Sequence, residues 1–179
     1  MPKRIPHRFA AIDFETADYG RDSACSLAII TVDGDEIVSR WHRLIKPPRQ
    51  TFEFTYLHGI GWKDVKDQPT FGELWPEILE QFKGIQYLVA HNATFDREVM
   101  NVCCIRAGVA PTPLPYKCTV QLARKIWNIR PTKLPDVCRF LSIELRHHQA
   151  ESDAEACARI MLASFTAPVL EKKGETVEA

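Results

Sequence analysis

The sequence predicts an α/β domain built on a mixed central sheet flanked by helices. Three observations carry that prediction. Three β-type runs follow one another early in the chain around a strong hairpin signal, a fourth apolar run leads directly into a helix, and the remainder has helical periodicity with capping signals.

The opening strand is Arg8-Phe9-Ala10-Ala11-Ile12-Asp13-Phe14-Glu15-Thr16. It is apolar from Phe9 until two carboxylates, Asp13 and Glu15, appear where it stops, the pattern of a strand buried on both faces. Residues i and i+2 of a strand point the same way, so the two carboxylates project side by side. Paired like charges at the end of a core strand are unfavourable unless a cation or a proton compensates them. Oxygen-only ligands favour Mg²⁺ or Mn²⁺. This segment alone leaves open the alternative of two acids in a solvated loop just past the strand.

After a polar, turn-like stretch, Cys25 to Val32 reads as the second strand. Asp33-Gly34 is a hairpin signal, and Glu36 to Ile45 returns as the third strand until Pro47-Pro48 stops it. Thr70-Phe71-Gly72-Glu73 has capping-box spacing and opens a helix through about Phe82, closed by Gly84. Its apolar stripe is Leu74, Ile78, Leu79 and Phe82. Ile85 to Ala90 is the fourth strand, and the helix after it runs from Thr94 to Ala107, ended by Gly108. Pro111, Pro113 and Pro115 stiffen the next connection. Helices near 118–127 and 133–142 follow, with Pro135 in the first turn of the second. The last helix is expected to begin near Ser152, where Ser152-x-x-Glu155 is another capping box, and to reach about Phe165. The expected organisation is one domain over 8–165 and a polar, disordered tail over 166–179.

With 179 residues, the chain can bury a full core without metal or disulfide staples. No stretch approaches the roughly 18 consecutive apolar residues of a membrane span, and the N-terminus lacks an apolar signal region. A soluble cytoplasmic protein with no membrane partner is the expectation. Six cysteines show no Cys-x-x-Cys spacing, which points to free thiols rather than a zinc ribbon or redox pair. The formal net charge is zero, but the bases between Lys117 and His148 number seven against two acids, Asp136 and Glu144. A local basic face of that kind can follow a phosphate backbone.

Two later segments add carboxylates and histidines: His91-Asn92-Ala93-Thr94-Phe95-Asp96 after the fourth strand, and His148-Gln149-Ala150-Glu151-Ser152-Asp153 before the last helix. Asp96 and Asp153 each fall in or beside the first turn of an expected helix, where capping alone accounts for an aspartate. Capping does not account for their company with the acid pair at the end of the first strand.

Asp-x-Glu, His-Asn-x-x-Phe-Asp and His-x4-Asp, in that order, resemble the DEDDh family of 3′→5′ exonucleases. The family includes the proofreading epsilon subunit of bacterial DNA polymerase III, exonuclease X, ribonuclease T and oligoribonuclease. The resemblance runs from Phe9 to Leu162, with smaller echoes at Leu57-His58-Gly59-Ile60 and Cys118-Thr119-x-x-Leu122-Ala123-Arg124. It implies a ribonuclease-H-like fold, in which parallel strands are added to the three antiparallel ones. It also implies that Asp13, Glu15, Asp96 and Asp153 hold two Mg²⁺ (or Mn²⁺) ions, and that His148 is the general base. His148 has the family's gap to Asp153; His147 does not, and is expected to be a surface residue off the site. Thr16, Leu57, His58, Ile60, Asn92 and Phe95 match the substrate pocket, although core packing accounts equally well for Leu57, Ile60 and Phe95. Many relatives carry Asp where this chain has Cys118, a position that is not a metal ligand in the family.

The expected function is metal-dependent 3′→5′ exonucleolysis, preferably of single-stranded DNA, releasing nucleoside 5′-monophosphates. The alternatives are an RNA-trimming or oligoribonuclease-like exoribonuclease, and a non-catalytic nucleic-acid-binding polymerase subunit; the presence of all five catalytic positions stands against the last. The expected partner is a nucleic-acid 3′ end, single-stranded DNA ahead of RNA, with a DNA polymerase or repair protein as a candidate protein partner. Telling DNA from RNA depends on contacts to the 2′-OH, which no motif here reports.

Overall fold

The apolar run from Phe9 to Ile12 is fully buried in the computed structural model, which describes residues 7–167. That burial puts β1 (Arg8–Thr16) at the centre of a five-stranded sheet of order β3-β2-β1-β4-β5. β2 (Ala24–Asp33) and β3 (Glu36–Leu44) pair antiparallel in succession on one side of it. Gly34, at φ +63°, takes the left-handed conformation in the turn between them. β4 (Tyr87–Ala90) and β5 (Tyr116–Cys118) add in parallel on the other side. The expected mixed α/β, ribonuclease-H-like architecture is what forms.

The pleat of β1 sorts its side chains between two cores. Ala10, Ile12 and Phe14 pack with residues of α3 (Phe71–Gln81) and α4 (Thr94–Ala107). Phe9 and Ala11 face the opposite layer, built from α5 (Thr119–Trp127), α6 (Leu134–Leu141) and α7 (Ala150–Thr166). Asp13 and Glu15 continue the Phe9–Ala11 row, so alternation aims them at the α7 side. β4 runs parallel to β1, with Ala11 opposite Val89, so both strands end at one edge of the sheet. α4 starts four residues after β4 and therefore begins at that same edge. Ends of parallel strands are where open α/β sheets bind ligands. Two one-turn helices, α1 (Thr55–His58) and α2 (Trp62–Val65), lie between β3 and α3.

Local signals were realised unevenly. The capping box forms at the start of α3, where the Thr70 amide donates to Glu73 Oε2 at 2.7 Å. Gly108 ends α4 with φ +69°. β4 begins at Tyr87, two residues later than expected, and β5, α1 and α2 have no counterpart in the sequence reading. At three or four residues each, they are too short for any periodicity to show. α7 begins at Ala150 rather than Ser152, with Gln149 as its N-cap. The Ser152–Glu155 capping box is therefore corrected: Ser152 Oγ accepts from the Arg146 amide at 2.8 Å, and Glu155 pairs with Arg40 and Arg159. Partners outside the box outcompeted the pairing within it. α7 extends to Thr166, and the tail expected from 166 onward lies, from 168, outside the described residues. All six cysteines are free thiols, with Cys103 and Cys104 both buried in the core. No helix of the described residues is long and apolar enough to cross a membrane.

Candidate active site

Four carboxylates from three elements meet at the end of β1. Asp13 and Glu15 come from the strand itself. Asp96, in the first turn of α4 and 2% exposed, accepts a 3.2 Å hydrogen bond from the Phe14 amide. Asp153, in the first turn of α7, is 4% exposed. Asp13, Glu15 and Asp153 offer oxygens that lie within 4.8 Å of one another. Asp153 Oδ2 accepts from the His148 amide at 3.1 Å and is 2.9 Å from His147 Nδ1. Its other oxygen, Oδ1, is buried with no hydrogen-bond partner.

Asp13, Glu15 and Asp153 border a cleft of about 260 Å³. The segment around α1 supplies Phe54, Leu57 and His58, α4 supplies Phe95, and the loop before α7 supplies His147 and His148. Two larger hollows, of about 360 and 640 Å³, lie elsewhere and contain none of the four carboxylates. We assign the site by its chemistry rather than by cavity size.

Residues 10–161 match the RNase T exonuclease family. The chain belongs to that family, among the DEDDh 3′→5′ exonucleases of the ribonuclease-H-like superfamily. The chain is 32% identical over 170 residues to the PolC-type DNA polymerase III of Bacillus cereus and 30% identical over 158 residues to that of Thermotoga maritima. These alignments cover 92% and 86% of this chain but only 12% of either polymerase. Among solved structures, exonuclease X in complex with 5′-overhanging duplex DNA shares the fold at a TM-score of 0.71 and 23% identity, covering 88% of this chain and 91% of that one. The nuclease domain of 3′hExo, a DEDDh family member bound to rAMP, superposes at 0.76 with 18% identity, covering 94% of this chain and 98% of that one.

Electrostatics at the site call for a cation, and the DEDDh family is divalent-metal dependent. Burial, then repulsion from Asp96, Asp153 and Glu15, drives the Asp13 carboxyl well above the usual carboxylate range. Burial and Asp153 push Glu15 up to about 7. Burial raises Asp96 to about 8 against the opposing amide hydrogen bond from Phe14. Asp153 is also raised, by burial, although His147 pulls it back. Such a cluster is unfavourable when ionised unless positive charge sits among the oxygens. The orphaned Asp153 Oδ1 and the oxygen-only donor set fit a hard divalent ion.

Of the substrate-pocket candidates, the fold brings Thr16, Leu57, His58 and Phe95 to the cleft. Ile60 is corrected: it packs beside Ala17, Cys25 and Val65 in a small core of its own. Asn92 is corrected too, because it is an exposed turn residue at φ +64° outside the cleft lining, its carbonyl accepting from the Phe95 amide. The His58 ring is already occupied. Nδ1 accepts from the Ile60 amide at 3.1 Å, which leaves Nε2–H to donate to the Thr16 carbonyl at 3.2 Å. His58 is thus a strut between two parts of the wall. His147, expected off the site, lines the cleft, bonds Asp153 and stacks on His148 with ring centroids 3.8 Å apart. Phe14 and Phe54 also line the cleft without having been foreseen. The doubled histidine before Asp153 was a signal that could have placed His147; nothing in the sequence marked Phe54.

Proposed function

We propose that this domain is a metal-dependent 3′→5′ exonuclease that removes nucleoside 5′-monophosphates one at a time from single-stranded DNA. The observation that carries this reading is the convergence of Asp13, Glu15 and Asp153 on one cleft that also holds an imidazole, with Asp96 buried against the Phe14 amide at the same strand end. Asp13, Glu15 and Asp153 would hold one Mg²⁺ or Mn²⁺, and Asp13 with Asp96 a second. Bound divalent ions supply an activated water at neutral pH and compensate charge on the phosphate and departing oxygen.

His148 would take the proton from the attacking water. Its ring is engaged by no hydrogen bond among the described residues, and burial together with His147 lowers its pKa, so it is neutral and basic near pH 7. His147 would fix the Asp153 carboxylate through Oδ2, leaving Oδ1 free to bind. Leu57, Phe54 and Phe95 would grip the terminal nucleotide. As water adds to phosphorus, the bond to the 3′ oxygen of the preceding nucleotide breaks. That oxygen departs as a hydroxyl on the shortened strand.

The names of the PolC-type relatives support DNA over RNA, and support a DNA polymerase as protein partner, as in proofreading. The test compares labelled single-stranded DNA, blunt duplex, circular DNA, RNA and dinucleotides. Single strands should be digested faster than duplex, because freeing a terminal nucleotide from a duplex costs a few kcal/mol of unpairing and unstacking. Circles should survive. Faster digestion of blunt duplex contradicts the reading, and a clear preference for RNA shifts it to the exoribonuclease alternative.

A further inference from the structure

Residues 17–23, the loop between β1 and β2, leave the catalytic strand directly after Glu15 and Thr16. Thr16, the last residue before the loop, lines the cleft, and Tyr19, 80% exposed, leans edge-on at 4.8 Å against Phe54, itself a cleft residue. Polar seven-residue loops are ordinarily mobile. At the centre of the clasp that holds this one is Arg49, a side chain from outside the cleft lining. Arg49 Nε and Nη2 each lie 2.6 Å from an oxygen of Asp18. The same guanidinium reaches Asp22 with Nη1 at 3.1 Å and Nη2 at 2.8 Å. Arg106, from α4, adds a third arm at 3.2 Å to Asp22. Two carboxylates of one loop, Asp18 buried and Asp22 partly so, therefore share one planar fork, a geometry that a lysine cannot reproduce.

Arg49 belongs to the same segment as Glu53 and Phe54, whose amides donate to the Ala17 carbonyl at 2.7 and 3.2 Å. The clasp thus joins the loop to the stretch that carries Phe54, Leu57 and His58 along the cleft. Gly20 is part of the device. A Cβ there would collide with the Arg49 guanidinium and stand 2.8 Å from Asp22 Oδ1, so only glycine leaves the clasp undisturbed.

We propose that Arg49 is a positioning residue: by locking residues 17–23 onto the 49–58 segment it sets the shape of the cleft that receives the terminal nucleotide. Its kinetic consequence rests on the exonuclease reading above; its mechanical part does not. Arg49→Lys and Gly20→Ala, two chemically unrelated changes away from the cleft lining, should act alike. Both should speed amide hydrogen exchange across 17–23 and 52–58 while leaving β1 and β4 protected. Both should raise KM for a single-stranded oligonucleotide roughly tenfold with kcat within about twofold, the signature of lost binding geometry without lost chemistry. Unchanged exchange in both variants overturns the clasp, and so does a fall in kcat at constant KM. If the wild-type protein degrades no nucleic acid, the exonuclease reading fails, while the exchange data still decide the clasp.

Discussion

Replacing His148 by alanine is expected to lower kcat by about 10²–10⁴-fold at neutral pH, the usual worth of a positioned base. Binding of divalent ions should persist, because all four carboxylates remain. The wild-type rate should fall as pH drops through the imidazole pKa, which burial and His147 place below its ordinary value. The variant's profile should lack that limb. Backbone geometry offers a control. His148 sits at φ +67°, a left-handed conformation that costs a side-chain-bearing residue about 1–2 kcal/mol. His148→Gly should thus be as inactive as the alanine variant yet more thermally stable than it. His147→Ala should behave differently, losing roughly 10–100-fold through a loosened Asp153, partly recovered by more Mg²⁺ or Mn²⁺. A dead His147→Ala beside a near-normal His148→Ala would reverse the two roles.

Chelating the divalent ions should abolish hydrolysis and leave the fold standing, since the two cores on either side of the sheet do not depend on a metal. The pH dependence of that metal-free state follows from the carboxylates. Asp13, Glu15 and Asp96 hold protons more tightly folded than unfolded, with Glu15 at about 7 and Asp96 at about 8. The folded state therefore binds more protons, and its stability declines as pH rises from the ordinary carboxylate range, about 4, through 8. Added Mg²⁺ or Mn²⁺ opposes this by binding the ionised form. The rise in Tm on adding the ion should thus be larger at pH 8 than at pH 5, about 2.7 kcal/mol of stabilisation at a hundredfold excess over Kd. An equal rise at both values would remove the electrostatic account, and full degradation in chelator would remove the metal.

The carboxylates were legible because each is tied to a local signal. Asp13 and Glu15 follow from period-two alternation at the end of an apolar run, and Asp96 and Asp153 from helix starts. Leu57 and Phe95 were legible only as candidates, since a wall residue and a core residue look alike in one dimension. Ile60 shows the cost of that ambiguity: it lies three residues past Leu57, yet its side chain turns into the packing beside Val65. Asn92 shows another: it sits exposed in a left-handed turn at φ +64°, outside the cleft that Phe95 lines.

By itself, then, the sequence determined the mixed α/β fold, the order of the first three strands, the four acids and the family, all matters of spacing along the chain. Tertiary structure decided which of several possible partners each of these side chains meets. It brought His147 onto Asp153, closed the His58 ring against Thr16, and gave the Ser152 hydroxyl to Arg146 instead of to a capping box. It also set Arg49 between Asp18 and Asp22, across some thirty residues of chain. Alternation and capping are short-range consequences of backbone geometry, whereas a shared carboxylate or a clasped loop exists only after the sheet has fixed which strand ends are neighbours.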